Sequence, residues 1–180
     1  MKQKDNKQNQ TIVSSHSYDA FIQSIKKKVI ELKEPGHSMA NTSFNEPSIS
    51  YGTLDDNNIL YIIEMVRLGI DFPYFDTIVD DSPFAMNEWS DFLHLSERTM
   101  QRYKKEQTTF DPIHSEKILQ IVLCNKYGAD VFGNKEMFHS WLNTKNIALG
   151  NIKPKELLDN SFGIELIKDE LTRIDHGVLA

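Results

Sequence analysis

From Ser96 to Lys105 the chain reads Ser-Glu-Arg-Thr-Met-Gln-Arg-Tyr-Lys-Lys, and most of these side chains suit one kind of chemistry, the reading of a nucleic acid. Arg98 and Arg102 offer paired donors that match guanine O6 and N7. Gln101 matches the adenine edge, and Thr99 carries both a hydroxyl and a methyl. Tyr103, Lys104 and Lys105 suit phosphates, whose contacts set register without carrying sequence information. Such a set works only on a helix narrow enough to enter the major groove, with its N-terminal residues on the base edges. Ser96 is a residue type that caps such a helix by accepting from an otherwise unpartnered backbone N–H.

A second polar cluster lies at the other end of the chain, at Arg173, Asp175 and His176, followed by Gly177, Val178, Leu179 and Ala180. So close to the terminus it has little core left to serve, and it is suited to entering a partner's cleft. Other chemistries find no matching pattern. The histidines, His16, His37, His94, His114, His139 and His176, have no i, i+4 pairing that would set two metal ligands on one helical face. Cys124 is the only cysteine, flanked by Val122 and Leu123, and reads as a small buried thiol rather than a nucleophile. No phosphate-binding glycine loop or Gly-x-Ser-x-Gly elbow occurs, and the carboxylates are spread along solvated faces. The expectation is a protein with no metal, no cofactor and no catalytic function.

Charge narrows the reading further. With 20 Lys and Arg against 26 Asp and Glu, the formal net charge of the 180-residue chain is -6, unsuited to coating nucleic acid through a broad basic field. Any DNA contact must be local. Asp71, Asp76, Asp80, Asp81, Glu88 and Asp91 precede the basic stretch and would weaken the hold of a monomer. A homodimer presenting two such helices to a palindrome is the expected remedy. Neither a signal peptide nor a membrane-length apolar run is visible, so a cytoplasmic protein without membrane contact is expected.

The elements that must position these groups are all helical. Tyr18, Phe21, Ile22, Ile25, Val29 and Leu32 recur at three- and four-residue spacing and predict an amphipathic helix ended by Pro35 and Gly36. A stretch rich in Ser, Asn, Pro and Gly follows and reads as a linker, and Met1 to Gln10 read as a polar terminus. Asp55 or Asp56 can cap a helix bearing Leu60, Ile63 and Val66 on one face and released at Gly69. A helix from Phe72 to Asp81 follows. Ser82-Pro83 then signals a new start, with Phe84, Met86, Trp89, Phe92 and Leu93 as its buried stripe. The pattern breaks at His94-Leu95, and Ser96 opens the candidate recognition helix, so Met86 to Gln107 has the proportions of a helix-turn-helix. Beyond Asp111, one long helix carries Ile118, Ile121, Val122 and Val131 to Phe132-Gly133. Met137 to Leu142, Pro154 to Leu158 and Gly163 to Ile174 complete the chain, with Phe132, Trp141 and Leu142 as core and Gly133, Gly150 and Gly163 as turn or capping residues. The fold class is all-α, with an N-terminal helix and linker over 1–56, a helix-turn-helix domain over 57–110 and a small helical domain over 111–180.

Ser96 to Lys105, Val131-Phe132-Gly133, Trp141-Leu142, Ala148-Leu149-Gly150, Pro154, Leu157-Leu158, Gly163 and Arg173 to Val178 follow one another in a succession that resembles the Xre/MbcA/ParS antitoxin family. The resemblance covers roughly residues 58 to 180. It departs from the family at the turn, where His94 stands in place of the glycine such proteins often carry. It implies an Xre-like helix-turn-helix joined to a toxin-binding domain, a cognate toxin with a RES domain that consumes NAD or transfers its ADP-ribose, and blockade of the toxin's active site by the C-terminal region. It also implies dimerisation within a toxin–antitoxin hetero-oligomer, and repression of the chain's own operon by operator binding. The alternative on the residues alone is a transcriptional regulator without a toxin partner.

Overall fold

The computed structural model describes residues 20–33 and 56–177, and apart from two isolated β-bridges and short turns these residues are helical. Helix α1 (residues 20–33) is followed by α2 (Asp56–Leu68), α3 (Phe72–Asp81), α4 (Met86–Phe92), α5 (Glu97–Glu106), α6 (Pro112–Phe132), α7 (Lys135–Leu142), a 3₁₀ turn (Pro154–Leu157) and α8 (Ser161–Asp175). The caps explain most of the boundaries. Asp71, Ser96, Asp111, Asn134 and Asn160 each accept from a backbone N–H in the first turn of the helix that follows. Gly69 and Gly133 end their helices in the left-handed region at φ 82° and 69°.

Helix α6 is the spine of the molecule. It packs on α2 along one side and on α7 and α8 along the others. Around its first half Phe72, Phe75, Trp89 and Phe110 are buried, with Phe75 edge-on to Trp89 at 5.4 Å and to Phe110 at 4.9 Å. Two inter-element loops close this half. Phe110 N–H donates to the Ile70 carbonyl at 2.8 Å, and the buried Ser115 hydroxyl accepts from Ile70 N–H at 2.9 Å. At Gly69, which already needs positive φ, an added Cβ would lie 2.5 Å from the Phe110 carbonyl oxygen.

Helix α1 lies against this body as its periodicity predicts, burying Phe21, Ile22, Ile25 and Val29, although Leu32 is exposed. Its lysines are engaged locally: Lys28 pairs with Asp71 at 2.7 Å, Lys33 with Glu64 at 2.9 Å, and Lys26 stands 5.4 Å over the Tyr61 ring. Tyr18, Asp55, the polar terminus and the stretch read as a linker lie outside the described residues.

Three expectations are corrected. In α2 the core face carries Ile62 and Met65, whereas Leu60 and Ile63 face outward at 62% and 38% exposure. The helix is apolar nearly all round, so its pattern does not single out a buried side. Ser82 closes α3 rather than opening α4, which starts at Met86. Its hydroxyl is used by the core, because Trp89 Nε1 donates to it at 3.1 Å. Gly163 is no turn residue but sits in the first turn of α8, where a Cβ would lie 2.1 Å from the Leu157 carbonyl oxygen. The absent side chain lets the 3₁₀ turn approach α8.

Candidate functional site

The two short helices α4 and α5 meet through Leu93 to Ser96. Trp89 is completely buried and braces this pair, with Phe84 at 6.0 Å and Phe92 at 6.1 Å as well as Phe75 behind it. The turn takes the left-handed conformation at His94, φ 53°. A non-glycine residue there is strained. Two hydrogen bonds hold it: His94 N–H donates to the Asp91 carbonyl at 3.1 Å, and Nε2 donates to the Asp159 carbonyl at 2.9 Å. Ser96 caps α5 by accepting from Thr99 N–H at 3.1 Å, and the two hydroxyls hydrogen-bond at 2.8 Å.

From that cap, Arg98, Gln101, Arg102 and Lys105 are all exposed at i, i+3, i+4 and i+7, one continuous stripe on the face opposite buried Met100. Stripe residues of this type can meet base edges and phosphates together. The remaining candidate residues stand elsewhere. Tyr103 is half-buried, 5.2 Å from the Phe110 ring, and Lys104 turns back to Asp76 at 3.5 Å. Ser96 and Thr99 are committed to each other and to the helix start, so they position the stripe.

The acidic residues before α5 are largely compensated within the fold. Asp81 pairs with Lys135 at 3.0 Å and Lys126 at 3.4 Å. Burial pushes the carboxyl up, but the two ammonium groups outweigh it and hold Asp81 below its ordinary value. Glu88 behaves alike: Lys155 at 2.8 Å and the Ala85 N–H at 2.9 Å overcome burial and lower its pKa. The Glu88–Lys155 pair and the His94–Asp159 bond both join the α4–α5 unit to the segment leading into α8. Sequence reasoning missed this junction, since no local pattern links residues more than sixty positions apart.

At the far end, α8 turns Ile164, Ile167 and Leu171 inward. Arg173 is exposed and pairs with buried Glu170 at 2.9 Å, Asp175 is the last helical residue, His176 caps the helix, and Gly177 takes φ 69°. Thus Arg173, Asp175, His176 and Gly177 emerge together from the end of α8, all exposed. Val178, Leu179 and Ala180 lie outside the described residues. Cys124 is buried and its thiol is pushed up to about 12, which makes it unreactive as a nucleophile at neutral pH. Among the described residues no group of three His, Cys, Asp or Glu side chains is placed to hold a metal ion, and no helix is long and apolar enough to cross a membrane.

The fold and these two regions define an all-helical protein in which a helix-turn-helix and a further helical region are built on the same long helix. Residues 62–123 match the antitoxin Xre-like helix-turn-helix domain, and residues 128–177 match the antitoxin Xre/MbcA/ParS C-terminal toxin-binding domain. The chain belongs to the Xre/MbcA/ParS antitoxin family. It is also similar to "Antitoxin Xre" of Yersinia enterocolitica, with 24% identity over 120 residues that cover 66% of this chain and 81% of the relative. Helix α1 precedes both matched segments.

Proposed function

We propose that this protein neutralises a RES-type toxin, one that consumes NAD or transfers its ADP-ribose, by blocking the toxin's active site with its C-terminal region, and that it represses its own operon through α5 as a homodimer. The matched toxin-binding domain favours this reading over a regulator without a toxin partner. The observation that carries it is the pair of solvent-facing polar ends on one body: the Arg98, Gln101, Arg102 and Lys105 stripe on α5, and the Arg173 to Gly177 end of α8. In the blocking step, Gly177 at positive φ releases the chain from α8 and Val178 to Ala180 thread the cleft. Asp175 then faces the cationic groups that hold a dinucleotide pyrophosphate. Deletion of Asp175 to Ala180 tests this, with the protein of the adjacent reading frame as the toxin. NAD depletion and growth arrest are expected to return while binding to the operon's own promoter fragment persists. Full neutralisation by the truncated protein would move the inhibitory surface onto the helices.

A further inference from the structure

The outward face of α8 carries more than the residues near its end. Phe162 is 86% exposed and Leu166 is 52% exposed, although a Phe is a residue type that ordinarily packs inward. Phe162, Leu166, Asp169 and Arg173 follow one another at i, i+4, i+7 and i+11. They form a single stripe opposite the buried Ile164, Ile167 and Leu171, and the apolar pair at its start and Arg173 at its end are exposed. The apolar end of the stripe continues onto α6. Lys117 Nζ donates to the hydroxyl of Ser161, the neighbour of Phe162, at 3.5 Å. Ile113, one turn before Lys117 on the same side of α6, is 79% exposed. Phe162 and Leu166 thus stand exposed along the first turns of α8, with Ile113 exposed one turn before the lysine that reaches Ser161, while the stripe ends in the charged residues that lead into the C-terminal tail.

We propose that Phe162, Leu166 and Ile113 form the anchor on which the toxin docks, physically separate from the tail that blocks it. The inference rests on the reading above and divides its two tasks along one helix. Phe162 to Arg173 spans about 16 Å of α8, so the anchor grips the toxin's surface beside the cleft and the opposite end of the same rigid rod aims the tail into it. Three observations select the toxin as occupant. Phe162 and Leu166 fall inside the matched toxin-binding domain. The inward face of α8 is already filled, leaving this stripe as its available side. The stripe is also continuous with Arg173, which leads into the tail. Exposed apolar side chains that include an aromatic ring, rimmed by polar residues, mark a protein interaction surface.

The test compares Phe162→Asp with Leu166→Asp together, the milder Phe162→Ala with Leu166→Ala, and the Asp175 to Ala180 deletion. Each change is made in the otherwise unaltered chain, produced beside the protein of the adjacent reading frame. The double aspartate variant is expected to weaken that complex by about tenfold or more, and the alanine pair to weaken it measurably. Melting temperature, sedimentation of the free antitoxin and promoter binding are expected to stay unchanged. The tail deletion should show the converse, complex retained and toxin active. A folded alanine pair that binds the adjacent protein as tightly as the wild type overturns the anchor. So does loss of self-association in the variants, which would assign the face to a second copy of this chain. Failure of the unaltered chain to capture the adjacent protein would instead overturn the functional reading on which the anchor depends.

Discussion

Replacing Arg98 and Arg102 by alanine removes the two exposed guanidinium groups at the start of α5 without touching the core. Among the described residues neither enters an ion pair, and Arg102 makes only a distant contact, 5.8 Å over the Tyr103 ring. The cost to folding should therefore stay within about 0.5 kcal/mol, as for other surface substitutions. The cost to DNA binding is of another order. A bidentate arginine–guanine contact discriminates by about 1–3 kcal/mol, so the pair accounts for roughly 2–6 kcal/mol per protomer, a fall in affinity of about thirtyfold to twenty-thousandfold. Wherever one of these arginines also neutralises a phosphate, its removal makes the slope of log affinity against log salt shallower by about 0.9. Lys104→Ala is the internal comparison, because its ammonium is already engaged by Asp76 at 3.5 Å and should contribute less than Lys105 to that slope. Fluorescence anisotropy against the operon's own promoter fragment, over a range of salt concentrations, measures both quantities. A double variant with unchanged melting, unchanged affinity and unchanged salt slope would refute the assignment of α5 as the reading helix.

Trp89→Ala should act through stability alone: an indole with no exposure, packed on Phe75, Phe84 and Phe92, leaves a cavity costing about 3–5 kcal/mol. A Trp89→Ala protein that melts like the wild type yet fails to bind DNA would contradict this. Glu88 has a lowered carboxyl pKa in the fold, so the stability it supplies is complete above the ordinary glutamate value and is lost as pH falls through the lower folded value. Glu88→Gln should be less stable at neutral pH and show a shallower acid limb in melting temperature against pH; an acid limb identical to the wild type would show that the Lys155 pair contributes nothing.

Much of the helical order was legible because its signals are local. Phe72 to Asp81 begins after an aspartate cap, Ser96 opens α5 with its own oxygen on Thr99 N–H, and Asp111-Pro112 marks α6 in the same way, whereas the Asn160 cap starts α8 ahead of Gly163, where the sequence pattern places its start. Such signals act over three or four residues and need no tertiary partner. The stripe of Arg98, Gln101, Arg102 and Lys105 follows from helical period once the cap is known.

Where a residue's role depended on a distant neighbour, local reading went astray or was blind. Ser82 resembles a helix start in sequence, yet the indole of Trp89 and the end of α3 claim its hydroxyl. Leu60 and Ile63 are as apolar as Ile62 and Met65, and only the position of α6 decides which pair is buried. Tyr103 and Lys104 belong to the basic run by composition and fall off the stripe by helical period, but only the structure shows what they meet there, Phe110 and Asp76. The exposure of Phe162 and the bridges from His94 to Asp159 and from Glu88 to Lys155 likewise exist only in three dimensions. The chain alone determined its helices, their caps and the chemistry available on each. The tertiary structure decided which side of each helix meets solvent, because burial of an apolar face is settled by the neighbouring surface that removes it from water and not by the face itself.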